Sequence, residues 1–285
     1  MRPNRAAARL TVALGSIIVL GLALASPVVA SDGVIEINQA KVIKAGGFPF
    51  TISKSGSYRL SSDLDVRSFP SPENVTAISV TTDDVTVDLN GFAIIGPSSC
   101  TASGTPTNVT CSVRGTGDGI SVTYGKANIT VRNGSIHGLG NDGVDAAGGE
   151  NMLVDELKVY SMGGPGIDIG TGIVSRCTVK LCFNSGIGVD GSGMATGNVS
   201  SYNGSNGIYL ASGTASYNIL QNNGGNGIQN TSSGVIAFNS LSNNQAGLTL
   251  GPKVGYVGNV ILGSSVFGSP VQIGPNLCNG STTCP

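Results

Sequence analysis

Tryptophan is missing from this chain, histidine occurs once (His137), and only 11% of the residues are charged. Each scarcity closes off a class of function. Without tryptophan, sugar stacking would have to rest on tyrosine and phenylalanine, which together with it make up 5% of the residues. A single histidine, with no cysteine spacing of the zinc-site kind, leaves neither a zinc centre nor a Ser-His-Asp set. No glycine-rich loop has the form that cradles phosphate. The chain carries 15 basic and 16 acidic residues. Long apolar runs are also lacking, except at the start, where Arg2, Arg5 and Arg9 precede T-V-A-L-G-S-I-I-V-L-G-L-A-L-A. Val28 and Ala30 then hold the small-residue positions before a cut, so residues 1–30 read as a secretory signal peptide with Ser31 the first mature residue. That run is shorter than a usual membrane span, so no membrane association is expected after cleavage. Removing three arginines and no acids leaves 12 basic against 16 acidic residues, a net charge near −4. Such a balance gives no electrostatic footprint for nucleic acid.

Glycine is abundant instead, at 44 residues, and it is placed periodically. Gly119, Gly143, Gly166, Gly186, Gly207, Gly227 and Gly247 each precede an aliphatic residue, at steps of 24, 23, 20, 21, 20 and 20. A second column, Asn198, Asn218, Asn239 and Asn259, runs in phase at steps of 20, 21 and 20. Two columns with one period predict a solenoid. Within it, G-I-Y-L, G-I-D-I and I-T-V-R alternate apolar with small or polar residues, which is strand periodicity, and no helical stripe appears over residues 118–274. Each coil is therefore two or three short strands joined by Gly/Asn turns. Aliphatic side chains stack inward, and an inward asparagine column bonds to turn backbone and to the next asparagine. Glycine and asparagine are expected at corners that need left-handed or tight backbone.

The repeats N-G-S-N-G-I-Y-L (203–210), N-N-G-G-N-G-I-Q-N (222–230) and N-N-Q-A-G-L-T-L (243–250) resemble those of the right-handed parallel β-helix proteins, the pectin-lyase-like superfamily. The resemblance covers roughly residues 50–274 and implies an all-β, single-stranded parallel β-helix. About nine coils are expected, with an N-terminal cap over 31–49, an inserted loop over 97–117 and a C-terminal tail over 275–285. Six cysteines in an exported chain suit disulfides. Cys100 with Cys111 would pin the insertion and Cys278 with Cys284 the tail, while Cys177 and Cys182 read as buried thiols or a third bridge.

Aligned coils turn sequence positions into surface neighbours. Two residues after each repeat glycine lies an outward column of Ser121, Asp145, Asp168, Gly188, Tyr209, Gln229 and Thr249. It places Asp145 beside Asp168, where like charges raise one pKa and create an acid/base pair or a cation site. Tyr209 and Gln229 would contact a sugar. The corner column before the glycines reads Asp118, Asp142, Pro165, Ser185, Asn206, Asn226 and Ala246, so Asp142 is expected to face neighbours other than those of Asp145. N-D-G-V-D (141–145) is similar to the N-T-D-G motif of polygalacturonases. The next coils hold Gly164-Pro165 and Ser185 where that family places an aspartate pair and a histidine, so polygalacturonase chemistry is not expected.

Lyase or epimerase chemistry needs a base near a uronate C5 and a partner for the carboxylate, which calcium, arginine or lysine can supply. The catalytic candidates are Asp145 and Asp168 assisted by Arg132 or His137, with Asp142 as a substrate contact. Calcium is the cofactor such carboxylates would admit. Arg132, with Asp88 and Asp155, also fits a surface salt-bridge ladder. The expected role is an exported solenoid that binds, or both binds and processes, an acidic or neutral polysaccharide. The competing class is a non-catalytic structural solenoid that offers a flat face to a partner. The eight N-x-S/T matches follow from a scaffold rich in Asn, Ser and Thr and are not read as glycosylation sites.

Overall fold

A computed structural model describes residues 33–282 and Cys284. The signal peptide expected over residues 1–30 lies outside them. The described chain is a parallel β-solenoid whose strands form three columns. Residues following the repeat glycines build the first sheet, where Ile120 pairs with Val144, Val144 with Ile167, Ile167 with Ile187, Ile187 with Ile208, Ile208 with Ile228 and Ile228 with Leu248. These side chains stack in the interior, fully buried. Burying each contributes roughly 1.5–3 kcal/mol. Among the described residues the second sheet, from Ile35–Ile37 to Val271–Gln272, has eleven strand segments in a continuous series of parallel pairs. The stack is thus taller than the nine coils the repeat predicts. The additional rungs are at the ends, where strands such as Phe50–Ile52 and Ile78–Val80 follow Pro49 and Ala77 and so escape a count based on glycine. At the N-terminal end the short helix Gln39–Lys44, N-capped by Asn38, buries Val42 in the core.

The repeat glycines serve close approach, not left-handed backbone: none of the seven has a positive φ. A Cβ at Gly143 would lie 2.5 Å from the Gly166 carbonyl oxygen, and one at Gly207 would lie 2.7 Å from that of Gly227. Each first-sheet strand that follows a repeat glycine therefore enters its rung through a gap that only glycine leaves open. Left-handed corners fall elsewhere, at Asn128, Asn133, Asn151, Asn222 and Asn243 among others.

The asparagine column is a buried hydrogen-bond ladder. Asn198 Nδ2 donates to Asn218 Oδ1 (3.0 Å) and to the Val174 carbonyl (2.9 Å), and the pattern continues through Asn239 and Asn259 to Asn276. A second ladder, Asn203–Asn223–Asn244, runs up the neighbouring turn. Both end on a cysteine: the Cys177 and Cys182 amides donate to Asn198 and Asn203 Oδ1. These two cysteines are free thiols, and burial pushes the Cys177 thiol up to about 12.

Disulfides join Cys100 to Cys111 and Cys278 to Cys284. The first closes an antiparallel hairpin, Cys100–Ser103 with Asn108–Cys111, inside the predicted insertion. Strands on either side of it, Val85–Asp88 and Ile129–His137, are paired neighbours. The hairpin lies along the turn that runs from the third sheet, which includes Thr178–Lys180, Val199–Ser201 and Ile219–Gln221, to the first. Arg114 Nε donates to the Gly163 carbonyl (2.7 Å) with its guanidinium 3.5 Å from the Phe183 ring centroid, and Thr107 Oγ1 donates to the Asn222 carbonyl (2.6 Å).

Candidate functional site

The first sheet pairs Asp145 with Asp168, and farther along it pairs Gly188 with Tyr209, Tyr209 with Gln229 and Gln229 with Thr249. All the sheet-face candidates therefore share one outward column. Gln229 Oε1 accepts from Asn206 Nδ2 at 3.0 Å, which ties the face to the corner asparagines.

Asp142 stands at the corner, against Asp118 of the preceding rung and Gly164 of the next, and the charge of Asp145 also acts on it. The Asp142 backbone amide donates to Asp118 Oδ1 (3.2 Å), which also accepts from Asn141 Nδ2 (3.0 Å), so the corner aspartates of two successive rungs are in contact. The Asp142 carboxyl leans over Gly164 and that of Asp168 over Gly188, where a Cβ would sit 2.5 Å from Asp168 Oδ1. Both carboxyls fill space that a side chain on the next rung would occupy. This placement takes them out of water: Asp142 and Asp118 are each only 6% exposed, and Oδ1 of both Asp142 and Asp168 is buried with no hydrogen-bond partner among the described residues.

Burial and mutual repulsion shift all three proton affinities upward. Burial, then the charges of Asp118, Asp145 and Asp168, push Asp142 to about 8. Burial, then Asp190 and Asp145, push Asp168 to about 7. Asp118 rises to about 6, again chiefly through burial. Near neutrality the cluster thus contains carboxyl groups that hold a proton and can release it.

The other candidates are not brought to this cluster. Arg132 belongs to the second sheet, where its guanidinium meets Asp88 at 3.1 Å; Arg176 there pairs with Asp155 and Glu156. His137 belongs to the third sheet, stacked on Tyr160 with ring centroids 4.6 Å apart. Burial and the nearby Arg67 lower its pKa. In a coil of three short strands, residues five apart face different sides, so nearness in sequence to Asp142 brings neither group to the cluster. Asp118 is the member that sequence reasoning did not single out. Its signal was the corner column, in which it stands one rung before Asp142.

For calcium, the two orphaned oxygens supply suitable hard donors. Among the described residues, however, no three His, Cys, Asp or Glu side chains gather into a metal-ligating group. The arrangement fits a proton-holding cluster better than a preformed cation cage.

The family model for the right-handed β-helix region matches residues 73–223. No curated protein sequence matches the chain. Among solved structures, the pectate lyase Pel9A superposes with a TM-score of 0.60 at 14% identity, over 88% of this chain and 71% of that one. The Dettilon tailspike protein superposes with a TM-score of 0.51 at 15% identity, over 78% of this chain and 50% of that one. At such identities the likeness is one of fold. With the parallel register of its coils and a family match over more than half its length, the chain belongs to the right-handed β-helix family, with a pectin-lyase-like fold.

Proposed function

We propose that this is an exported protein that binds an acidic polysaccharide along the first sheet and cleaves or epimerises it at the aspartate cluster. The observation that carries the reading is the pair of buried, unpartnered carboxylate oxygens on Asp142 and Asp168. A scaffold selected for stability alone satisfies its buried polar atoms, and unsatisfied ones collect at sites of chemistry. Protonated Asp142 donates a hydrogen bond to the uronate carboxylate, a role that arginine cannot fill here because Arg132 lies on another sheet. Asp145 removes the C5 proton. For elimination, that electron pair forms the C4–C5 double bond as the C4–O bond breaks, and the Asp168 carboxyl gives its proton to the departing oxygen. For epimerisation, the C4–O bond stays intact and the Asp168 carboxyl gives its proton to the opposite face of the same carbanion. Tyr209 and Gln229 contact sugar units farther along the column. The two structural neighbours, a pectate lyase and a tailspike, support a polysaccharide partner. Two disulfides favour an oxidising compartment, and among the described residues no helix is long and apolar enough to cross a membrane.

The test is to incubate the chain with polygalacturonate and alginate, with and without calcium, and to follow unsaturated ends and C5 inversion. Activity that falls at least about a hundredfold in Asp168→Asn supports the assignment, since a proton donor commonly contributes 10²–10⁴-fold. Inactivity on every polyuronate would leave the competing reading of a non-catalytic solenoid, and a fully active variant would remove Asp168 from the chemistry.

A further inference from the structure

Charge is distributed very unevenly along the solenoid. From residue 191 to residue 285 the only charged side chain is Lys253, although this stretch forms nearly half of the described rungs. The hairpin is uncharged as well from Ser98 to Val113. Where its tip comes down on the uncharged rungs, a cavity of about 500 Å³ opens, within the range of small-molecule sites. It is lined by Thr105 and Pro106 of the tip and by Asn222, Asn243 and Gln245 of the solenoid. A second cavity of about 240 Å³ on the tip's other flank shares Thr105 and Asn222 and adds Tyr202.

Tyr202, Asn222 and Asn243 form one corner column. Each follows a third-sheet strand, and those strands pair Ser201 with Gln221 and Gln221 with Ser242. All three residues have positive φ, near 54°, 52° and 54°, so their side chains leave the corner in the same way, rung by rung. Asn244 is consumed by the buried ladder. The side-chain amides of Asn222, Asn243 and Gln245, in contrast, make no hydrogen bond among the described residues. An aromatic ring and three free amides are therefore aligned beneath a disulfide-braced hairpin, with no charged group lining either cavity.

We infer that this cleft is a binding site for an uncharged sugar, separate from the aspartate cluster. A sugar ring presents hydroxyls that donate and accept together with an apolar C–H face. Amides meet the first requirement, since each offers two donors and one acceptor. The Pro106 ring, which lines the larger cavity with these amides, meets the second, and Tyr202, 45% exposed, offers a further apolar face on the tip's other flank. An anionic unit would find no cation to offset its desolvation here, so the cleft discriminates against uronates by omission. The inference does not depend on the aspartate cluster, and either can fail alone.

The test uses the full chain with cellohexaose, mannohexaose and galactohexaose as neutral probes and hexagalacturonate as the acidic one. Side-chain amide resonances of Asn222, Asn243 and Gln245 report binding at the cleft. The expected result is saturable shifts with a neutral hexamer, an affinity unchanged between low and high salt, and about tenfold weaker binding in the Asn243→Gly, Gln245→Ala double variant, or ~1.4 kcal/mol. Glycine is chosen at 243 because it keeps the positive φ, so the variant loses the amide without backbone strain. Asp168→Asn serves as the control and should bind the neutral hexamer as the parent does. The inference is overturned if no neutral hexamer shifts these amides, if the double variant binds undiminished, or if hexagalacturonate shifts these same amides at lower concentration than any neutral hexamer.

Discussion

Asp142 shows how one residue's setting changes what its chemistry can do. The turn that carries it presses the carboxyl onto Gly164 while its backbone amide donates to Asp118. The folded chain keeps the Asp142 proton up to a pH of about 8, whereas an unfolded chain loses it near ~4. Between those values the folded state binds more protons than the unfolded one, so the Asp142 contribution to stability falls as pH rises through that window. Asp142→Asn removes this titration. The variant should therefore be more stable than the parent by roughly 2–4 kcal/mol at about pH 8, and the gap should close towards about pH 4. Urea unfolding of both proteins across the window measures it, and parallel stability curves would rule out a proton held at Asp142.

The strands and turns owe their positions to two devices, glycine gaps and asparagine ladders, and these differ in how openly the sequence displays them. The glycine column and the Asn198–Asn259 column are legible because each repeats at one period beside an alternating apolar segment. The ladder Asn203–Asn223–Asn244 has the same period but lies inside the Gly/Asn-rich turns, where neighbouring asparagines such as Asn206 and Asn226 hide it. The aspartate cluster is legible only in part. Register alone places Asp145 beside Asp168, but the turn conformation, which no periodicity encodes, brings Asp118 and Asp142 to them. The ladder also makes a claim about energy. Asn239→Ala would strip a partner from the Asn218 side chain and amide, from Asn259 Oδ1 and from the Ala215 carbonyl, all in the interior. A loss of roughly 2–4 kcal/mol is expected, because buried groups left unpaired keep their desolvation cost. Asn226→Ala, at a half-buried corner, should cost about 1 kcal/mol or less. Denaturant midpoints that fall equally for both variants would contradict the ladder's role.

Among the described residues, every solenoid strand pairs only with the rungs before and after it, so stability is passed along one dimension. The two halves use different means. The N-terminal rungs add a helical cap, ion pairs and the aspartate cluster, while the C-terminal rungs rely on aliphatic stacks, ladders and the hairpin that braces them from outside. A local fault should accordingly remain local. Gly207→Ala would place a Cβ 2.7 Å from the Gly227 carbonyl oxygen and 2.8 Å from Asn223 Nδ2, straining one rung and one ladder step together. In a globular domain with a single interwoven core, such strain lowers the protection of every core amide by a similar amount. In this solenoid, hydrogen exchange should accelerate over residues 199–250, reached from the altered rung through its nearest neighbours, while residues 78–160 keep the parent's protection. Uniform acceleration along the chain would mean that the rungs unfold as one cooperative unit, and that the hairpin and ladders couple the two halves more tightly than strand pairing does.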